Sequence, residues 1–217
     1  MRKIMVLNPK GGCGKTTLAT NLASYYASQG KKVALADFDP QGSSADWLGV
    51  RLAERPPIYQ VAVDEEKDKL LVPLGMDYLI MDAPAGTHGK ELKRHVKKAQ
   101  TLLIPVLPSP IDIRAAAHFI EELLLVGRVS RAETRIAVVA NRVKEHTLIY
   151  HALQRFLGSL NIPFVATLRD TQNYIRAAQT GTGIFEMAPA AVAADLEQWQ
   201  PLLRWLASEQ SLPLGKR

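Results

Sequence analysis

Short apolar runs and longer amphipathic segments alternate along the chain, and this alternation restricts the possible folds more than any other feature. The apolar runs are candidate strands: Lys3–Asn8, Lys32–Asp37, Tyr78–Asp82, Thr101–Val106, Arg135–Asn141 and Pro163–Leu168. Their interiors are β-branched or aliphatic, which is typical of strands buried on both faces. The candidate helices are Thr16–Gln29, Lys90–Ala99, Ile113–Val126, Thr147–Leu160, Gln172–Thr180 and Ala190–Ala207. The alternation predicts an α/β fold, a doubly wound and mostly parallel sheet with helices on both faces.

Two residues refine the predicted helices. Asp112 is a candidate N-cap of the helix that starts at Ile113. Pro201 is expected to kink or split the last helix, because proline removes a backbone donor and crowds the preceding turn. No repeat, linker or change in composition divides the sequence, so we expect one domain over residues 1–217.

Composition restricts the classes of function. The 217 residues carry a formal net charge of +6 and a pI of about 9.5, which favours a polyanionic partner such as nucleic acid or an anionic membrane face. Cys13 is the only cysteine, so a disulfide or a cysteine-paired zinc or iron–sulfur site within one chain is excluded. The first apolar run, Ile4–Leu7, is too short for a signal peptide, and no run approaches the length of a membrane span. We therefore expect a cytoplasmic protein.

The strongest chemical signal lies between the first predicted strand and the first predicted helix. The segment reads Lys10-Gly11-Gly12-Cys13-Gly14-Lys15-Thr16-Thr17, a phosphate-binding loop in its required context. Glycines let backbone amides converge on phosphate oxygens, and the positive end of the following helix reinforces them. Lys15 would place a cation at the β- and γ-phosphates, and Thr16 would offer a hydroxyl to Mg²⁺. Cys13 lies among the same amides, so its thiol pKa is expected to be lowered. The alternative is a glycine-rich turn without a ligand.

Two predicted strands end in carboxylates that are expected beside this loop. Asp37 and Asp39 follow the second strand in the run Asp37-Phe38-Asp39-Pro40-Gln41, and Asp82 ends the third strand. In a parallel sheet, ligands bind at the carboxyl ends of the strands. Asp82 has the position of an acid that orients the Mg²⁺ shell. The alternative for Asp37 and Asp39 is a role as caps or turn formers.

Taken together, these motifs resemble the ParA/MinD family of deviant-Walker ATPases, whose phosphate loop begins with an additional lysine in the pattern KGGxGKT[ST]. Asp82–Gly86, Pro105–Asp112 and the segment from Arg169 to Glu186 match further motifs of the family. The resemblance covers Lys3 to about Glu186 and is to the small ParA type. It implies a homodimer that sandwiches ATP and hydrolyses it in a slow, Mg²⁺-dependent basal reaction that an adaptor protein stimulates.

The resemblance also implies roles for individual residues. Lys10 would cross the dimer interface and stabilise the phosphoryl group that the partner subunit transfers. Asp39 would position the attacking water and reach magnesium through water. Asn141 would hydrogen-bond adenine, and Arg142 would flank the base. The catalytic set implied is Lys10, Lys15 and Asp39, and the metal set is Thr16, Asp39 and Asp82.

Some members of the family are excluded by the sequence. Iron–sulfur reductases need paired cysteines and are excluded. MinD-like proteins end in an amphipathic membrane helix, but Pro213 and Gly215 interrupt the end of this sequence, so we do not expect membrane anchoring. No extension precedes the first predicted strand, so we do not expect operator binding of the larger ParA type. A small ParA-type protein without a membrane partner remains, one that holds DNA non-specifically and associates with the nucleoid.

A basic segment supports a DNA partner. On a helix, Leu92 and Val96 would face inward and five cations would share the opposite face. The five are Lys90, Lys93, Arg94, Lys97 and Lys98. Such a face would track phosphates, while the alternative is a face that is only solvated. Arg169 and Arg176 are further candidates for DNA contacts.

Two functions fit this sequence. In the first, the ATP-bound dimer holds DNA and partitions plasmids or chromosomes. In the second, a similar switch positions a protein assembly, such as a chemoreceptor cluster or a microcompartment. A MinD-like regulator of cell division is a third alternative.

Overall fold

An eight-stranded sheet forms the frame of the protein. The computed structural model describes residues 1–64, 69–125, 133–144, 147–159 and 162–216. The strands are β1 Arg2–Val6, β2 Val33–Asp37, β3 Ile58–Asp64, β4 Lys69–Leu71, β5 Tyr78–Asp82, β6 Thr101–Val106, β7 Arg135–Val143 and β8 Phe164–Arg169. Their order is β4-β3-β2-β5-β1-β6-β7-β8, and every pairing except that of β3 with β4 is parallel. The predicted α/β class and mostly parallel sheet are confirmed.

Helices cover both faces of the sheet and enclose two apolar cores. In the described ranges they are α1 Lys15–Ser28, α2 Ser43–Gly49, α3 Gly89–Val96, α4 Pro110–Leu125, α5 Leu148–Ser159, α6 Gln172–Gln179 and α7 Pro189–Ala207. One core packs side chains of α1, α2, α6 and α7, and the other packs side chains of α3, α4 and α5. Among these helices, none combines the length and apolar character needed to cross a bilayer.

Two expectations about helices need correction. The last helix was expected to kink or split at Pro201, and it does not split, because α7 runs continuously from Pro189 to Ala207. A proline inside a helix destabilises it by about 3 kcal/mol. Buried side chains on both sides of Pro201 offset this, because each stabilises the fold by about 1.5–3 kcal/mol. They include Trp199, Leu202 and Leu206. Asp112 is not the N-cap of α4, because its backbone N–H donates to the hydroxyl of Ser109 at 3.1 Å. The predicted ends at residues 126 and 160 lie outside the described residues.

Three elements were not predicted: β3, β4 and α2. Strand β3 has exposed positions, such as Tyr59 at 42%, and so lacks the continuous apolar run of its neighbours. Helix α2 has seven residues and is too short to show helical periodicity. Both elements depend on tertiary contacts, since β3 pairs with β2 and Trp47 of α2 joins the core beneath α1.

The segment after α7 is fastened to the amino edge of the sheet. The guanidinium of Arg2 donates to Thr101 Oγ1 at 2.6 Å and to the backbone oxygen of Ser211 at 2.7 Å. Arg135 Nε donates to the backbone oxygen of Leu212 at 3.0 Å. The first strand and this late segment therefore meet at the edge opposite the phosphate loop.

Candidate nucleotide-binding site

The loop between β1 and α1 is held from both sides at the carboxyl edge of the sheet. On one side, Asn8 Nδ2 donates to the backbone oxygen of Pro105 at 2.7 Å, just before the end of β6. On the other side, the backbone N–H of Gly86 donates to the backbone oxygen of Pro9 at 2.7 Å. Since β1 lies between β5 and β6, loops from both neighbouring strands brace the loop and fix its position.

The loop requires glycine at position 14. Gly14 has a φ of 96°, and a Cβ there would lie 2.1 Å from Nδ2 of Asn141. This amide nitrogen also donates to the backbone oxygen of Cys13 at 2.8 Å. Any larger residue would therefore combine left-handed backbone strain with a clash against a buried side chain. Asn141 was predicted to contact adenine, and the structure places it directly beneath the loop.

Two side chains of the loop converge on the backbone oxygen of Lys10. Lys15 is 7% exposed, and its Nζ donates to that oxygen at 3.1 Å. The thiol of Cys13 donates to it at 3.2 Å. The prediction of a lowered thiol pKa is wrong, because Cys13 is 1% exposed and burial raises the pKa of its thiol. The cation of Lys15 and nearby backbone donors oppose this effect but do not outweigh it.

Thr16 and Asp82 meet at the base of the loop, as the metal set requires. The hydroxyl of Thr16 donates to Asp82 Oδ2 at 2.7 Å. The other oxygen, Oδ1, is buried and has no hydrogen-bond partner in the described structure. Burial raises the pKa of Asp82 to about 7, with a smaller contribution from the nearby carboxylates. A free carboxylate oxygen beside a hydroxyl suits Mg²⁺, which prefers oxygen ligands, so these residues fit the predicted cation.

The two acids after β2 have different partners. Asp37 accepts hydrogen bonds from the backbone N–H groups of Asp39, Ser44 and Ala45 at 2.8–3.0 Å, which caps α2 and closes the loop. Among the described residues, the backbone N–H of Gln41 donates to Asp39 Oδ1 at 3.0 Å, and no other donor contacts this carboxylate. Strands β2 and β5 pair Asp37 with Asp82. Asp37 therefore shapes the loop, while Asp39 is half-buried and keeps acceptor capacity for a further ligand.

Lys10 is held by the first turn of α4. Its Nζ lies 3.0 Å from Asp112 Oδ1, and its side chain is 34% exposed. Asp112 also accepts a hydrogen bond from the hydroxyl of Ser109. The Lys10 side chain thus points toward the first turn of α4.

Arg142, predicted to flank the base, follows Asn141 in β7 and has a strained backbone. Its φ is 52°, a left-handed value that costs a residue with a side chain about 1 kcal/mol or more. Its exposed guanidinium lies 3.5 Å from Asp170 Oδ1, just after β8. The strain turns the Arg142 side chain outward while Asn141 stays buried beneath the loop.

A buried ion pair beside α2 was not predicted. Arg51, which follows α2, pairs with Glu186 at 2.6 Å, and both side chains are at most 5% exposed. Arg51 also donates to the backbone oxygens of Gly181 and Pro56 at 2.8 Å. A single charge within an apolar stretch carries no pattern that identifies a partner 135 residues away.

The predicted DNA contacts do not form one surface. In α3 and the turn after it the cations are exposed, apart from the half-buried Lys98, and Leu92 and Val96 are buried as expected. Arg169 pairs with the buried Asp195 at 2.5 Å, and Arg176 is exposed on α6. Asp195 belongs to α7, and α6 and α7 both pack on the other side of the sheet from α3, so neither arginine extends the α3 face.

Comparisons with known proteins agree with this geometry. The family model for the CobQ/CobB/MinD/ParA nucleotide binding domain matches residues 4–184. The chain is 30% identical over 198 residues to the "Maintenance of carboxysome distribution protein A" of Halothiobacillus neapolitanus, covering 88% of this chain and 91% of that protein. It is 45% identical over 84 residues to the chromosome-partitioning ATPase Soj of Thermus thermophilus, covering 39% of this chain and 33% of that protein.

A solved Cyanothece McdA–ATP complex has the same fold, with a TM-score of 0.69 at 17% identity over 95% of each chain. The family model spans the phosphate loop, both acidic strand ends and Asn141. Since the sheet order, the loop and these residues agree with that match, the chain belongs to the ParA/MinD family of nucleotide-binding domains.

Proposed function

We propose that this protein is an ATP-hydrolysing switch that dimerises around ATP and positions a protein assembly of the microcompartment class, with non-specific DNA as its track. The choice of cargo rests on the similarity to the Halothiobacillus carboxysome distribution protein, which extends over 91% of that protein. The protein would work in the cytoplasm, associated with the nucleoid, and an adaptor protein would stimulate hydrolysis.

Within one subunit, the phosphate loop binds and orients the nucleotide. Backbone N–H groups from Gly11 to Thr16 and the amino end of α1 attract the phosphates. Lys15 lies within the loop and adds its cation at the β- and γ-phosphates. Thr16 and Asp82 would hold Mg²⁺, which neutralises charge on the phosphate oxygens when bound. Positioning and electrostatics supply most of the catalysis in phosphoryl transfer.

Hydrolysis also needs a positioned water and a second cation. Asp39 keeps acceptor capacity at the loop surface, where it would orient the water for in-line attack. Lys10 would leave Asp112 and reach the phosphates of the partner subunit. The Asp112 side chain is only 12% exposed, so this movement breaks a partly buried ion pair, and contacts with the phosphates of the partner subunit must replace it.

The track would be held by the basic face of α3. Lys90, Lys93, Arg94 and Lys97 are exposed there, and dimerisation doubles the number of phosphate contacts. Such contacts go to the nucleic acid backbone and carry no base information, so binding would not depend on sequence.

The choice of cargo is tested in the organism that carries the gene. We expect deletion to leave its microcompartments clumped, because no switch distributes them, and to leave inheritance of plasmids and chromosomes normal. Fluorescence microscopy of a labelled shell protein measures the first, and marker loss measures the second. Wild type and Lys31→Gln, an exposed lysine remote from the loop, should restore even spacing, while Lys15→Gln should not. Normal spacing in the deletion strain, or a host without such assemblies, would contradict the proposal.

A second candidate function is segregation of DNA itself. The local similarity to Soj favours it, at 45% identity over 84 residues. The same deletion strain separates the two functions, because a segregation ATPase predicts marker loss with normal spacing of protein assemblies.

A further inference from the structure

The buried face of α3 contains a histidine that packing alone does not explain. His95 lies between Leu92 and Val96 in the core and is 4% exposed. Neither ring nitrogen has a hydrogen-bond partner in the described structure. The Oε1 atom of Glu91 lies 3.6 Å from Nε2, beyond hydrogen-bond distance. Because Nδ1 is buried without a hydrogen-bond partner and Nε2 has only the distant Glu91 carboxylate, polar contacts do not account for this ring.

The ring of His95 contacts the loop that carries Asp39. Its centroid lies 5.0 Å from that of Phe38, and the rings are 88° apart in an edge-to-face arrangement. Phe38 is 5% exposed and stands between the two acids of the loop, and its backbone N–H donates to the backbone oxygen of Asp82 at 2.9 Å. Aromatic pairs of this geometry have a preferred orientation, so the His95 ring restricts where Phe38 and its neighbours lie.

The opposite end of α3 is fixed to α4. Glu122 accepts a hydrogen bond from the backbone N–H of Gly89 at 2.8 Å, and its other oxygen lies 2.7 Å from Nδ1 of His88. Helix α4 also carries Asp112, the partner of Lys10. Because α3 is anchored at its first turn, the position of the His95 ring in its last turn is fixed relative to Phe38.

We propose that His95 is a positioning residue for hydrolysis, acting on Asp39 through Phe38. The proposal rests on the proposed ATPase function, in which Asp39 orients the attacking water. Small displacements of a positioning group reduce rates strongly, while phosphate binding depends on the separate loop after β1. His95 therefore affects kcat and leaves ATP affinity unchanged.

The test compares two substitutions that both remove the unpartnered nitrogens. His95→Phe keeps a ring against Phe38, and His95→Leu removes it. Urea unfolding should show both variants folded with one cooperative transition, so that a change in kcat cannot be assigned to unfolded protein. We expect His95→Leu to lower kcat about tenfold with ATP affinity within about twofold of wild type. His95→Phe should keep kcat within about twofold of wild type. Single-turnover hydrolysis and calorimetry with a non-hydrolysable analogue measure the two quantities.

Two further variants separate the ring contact from other effects. Glu91→Gln removes the nearest carboxylate and leaves the ring, so kcat should stay at the wild-type value. Phe38→Leu should lower kcat as His95→Leu does, and the double variant should be no slower than either single variant, since both remove one contact. Unchanged kcat in His95→Leu, or multiplied losses in the double variant, would overturn the inference alone. A wild-type protein that binds ATP but does not hydrolyse it would overturn the proposed function and this inference with it.

Discussion

Individual side chains of the phosphate loop hold the loop together as well as presenting chemical groups. The backbone oxygen of Lys10 accepts from Lys15 Nζ and from the thiol of Cys13. The Thr16 hydroxyl and Asp82 carboxylate are bonded to each other. A ligand that takes over any of these groups must replace an existing contact, which reduces the net gain from binding.

Among the single residues of the loop, Cys13 should react slowly with thiol-specific reagents. Burial raises its pKa, so at pH 8 the folded protein contains less thiolate than a free cysteine, and the thiolate is the reactive form. We expect a thiol-specific reagent to label native protein far more slowly than urea-unfolded protein, and native labelling to keep accelerating at pH values where labelling of the unfolded protein has levelled off. The measurement is the labelling rate between pH 7 and 10 with and without urea. Equal rates in the two states would contradict the buried placement.

Single residues differ in how well sequence predicts them. The loop from Lys10 to Thr17 is recognisable because its chemistry needs adjacent residues at fixed spacing. The hydrogen bond of Asn141 to the backbone oxygen of Cys13 and the pair of Lys10 with Asp112 join distant segments. Spacing along the chain carries no information about such partners. The prediction of a lowered Cys13 pKa was wrong because burial of the thiol depends on the packing of the whole loop.

Among the elements, α2 is the clearest case of a helix that depends on its surroundings. Its amino end is capped by Asp37, and Arg51 just beyond its carboxyl end is clamped by Glu186. Gly181 fits tightly against this clamp, since a Cβ there would lie 2.5 Å from the backbone of Arg51. Seven residues cannot sustain a helix in isolation, which explains why sequence periodicity did not reveal α2, whereas the longer strands and helices were predicted closely.

The clamp should dominate the stability of this region. Arg51→Leu leaves Glu186 buried without its partner, and we expect a loss of about 3–5 kcal/mol in the free energy of unfolding. Arg142→Leu is the matched control, because its pair with Asp170 is exposed and should contribute about 0–1 kcal/mol. Urea unfolding followed by circular dichroism measures both. Similar losses in the two variants would show that burial does not distinguish the pairs.

At the scale of the whole molecule, the proposed dimer predicts that two substitutions in the site have opposite effects on dimerisation. Asp39→Ala removes the group that orients water but leaves the phosphate contacts, so we expect a stable dimer with ATP and Mg²⁺ that hydrolyses at least about tenfold more slowly. Lys10→Gln should bind ATP as one subunit and fail to dimerise, because its target lies across the interface. Light scattering after gel filtration measures the mass of each. A dimer of Lys10→Gln with full activity would contradict the trans role.

The clasp formed by Arg2, Thr101 and Ser211 bears on how the protein can be followed in living cells. It brings the beginning of β1 and the segment after α7 together on the side of the sheet remote from the phosphate loop. The clasp lies at the amino end of β1 and the phosphate loop at its carboxyl end, so the length of the strand, about 3.3 Å for each residue, separates them. A fluorescent reporter joined near Met1, through a short flexible spacer, would therefore leave the nucleotide entrance open and can report movement of a working protein.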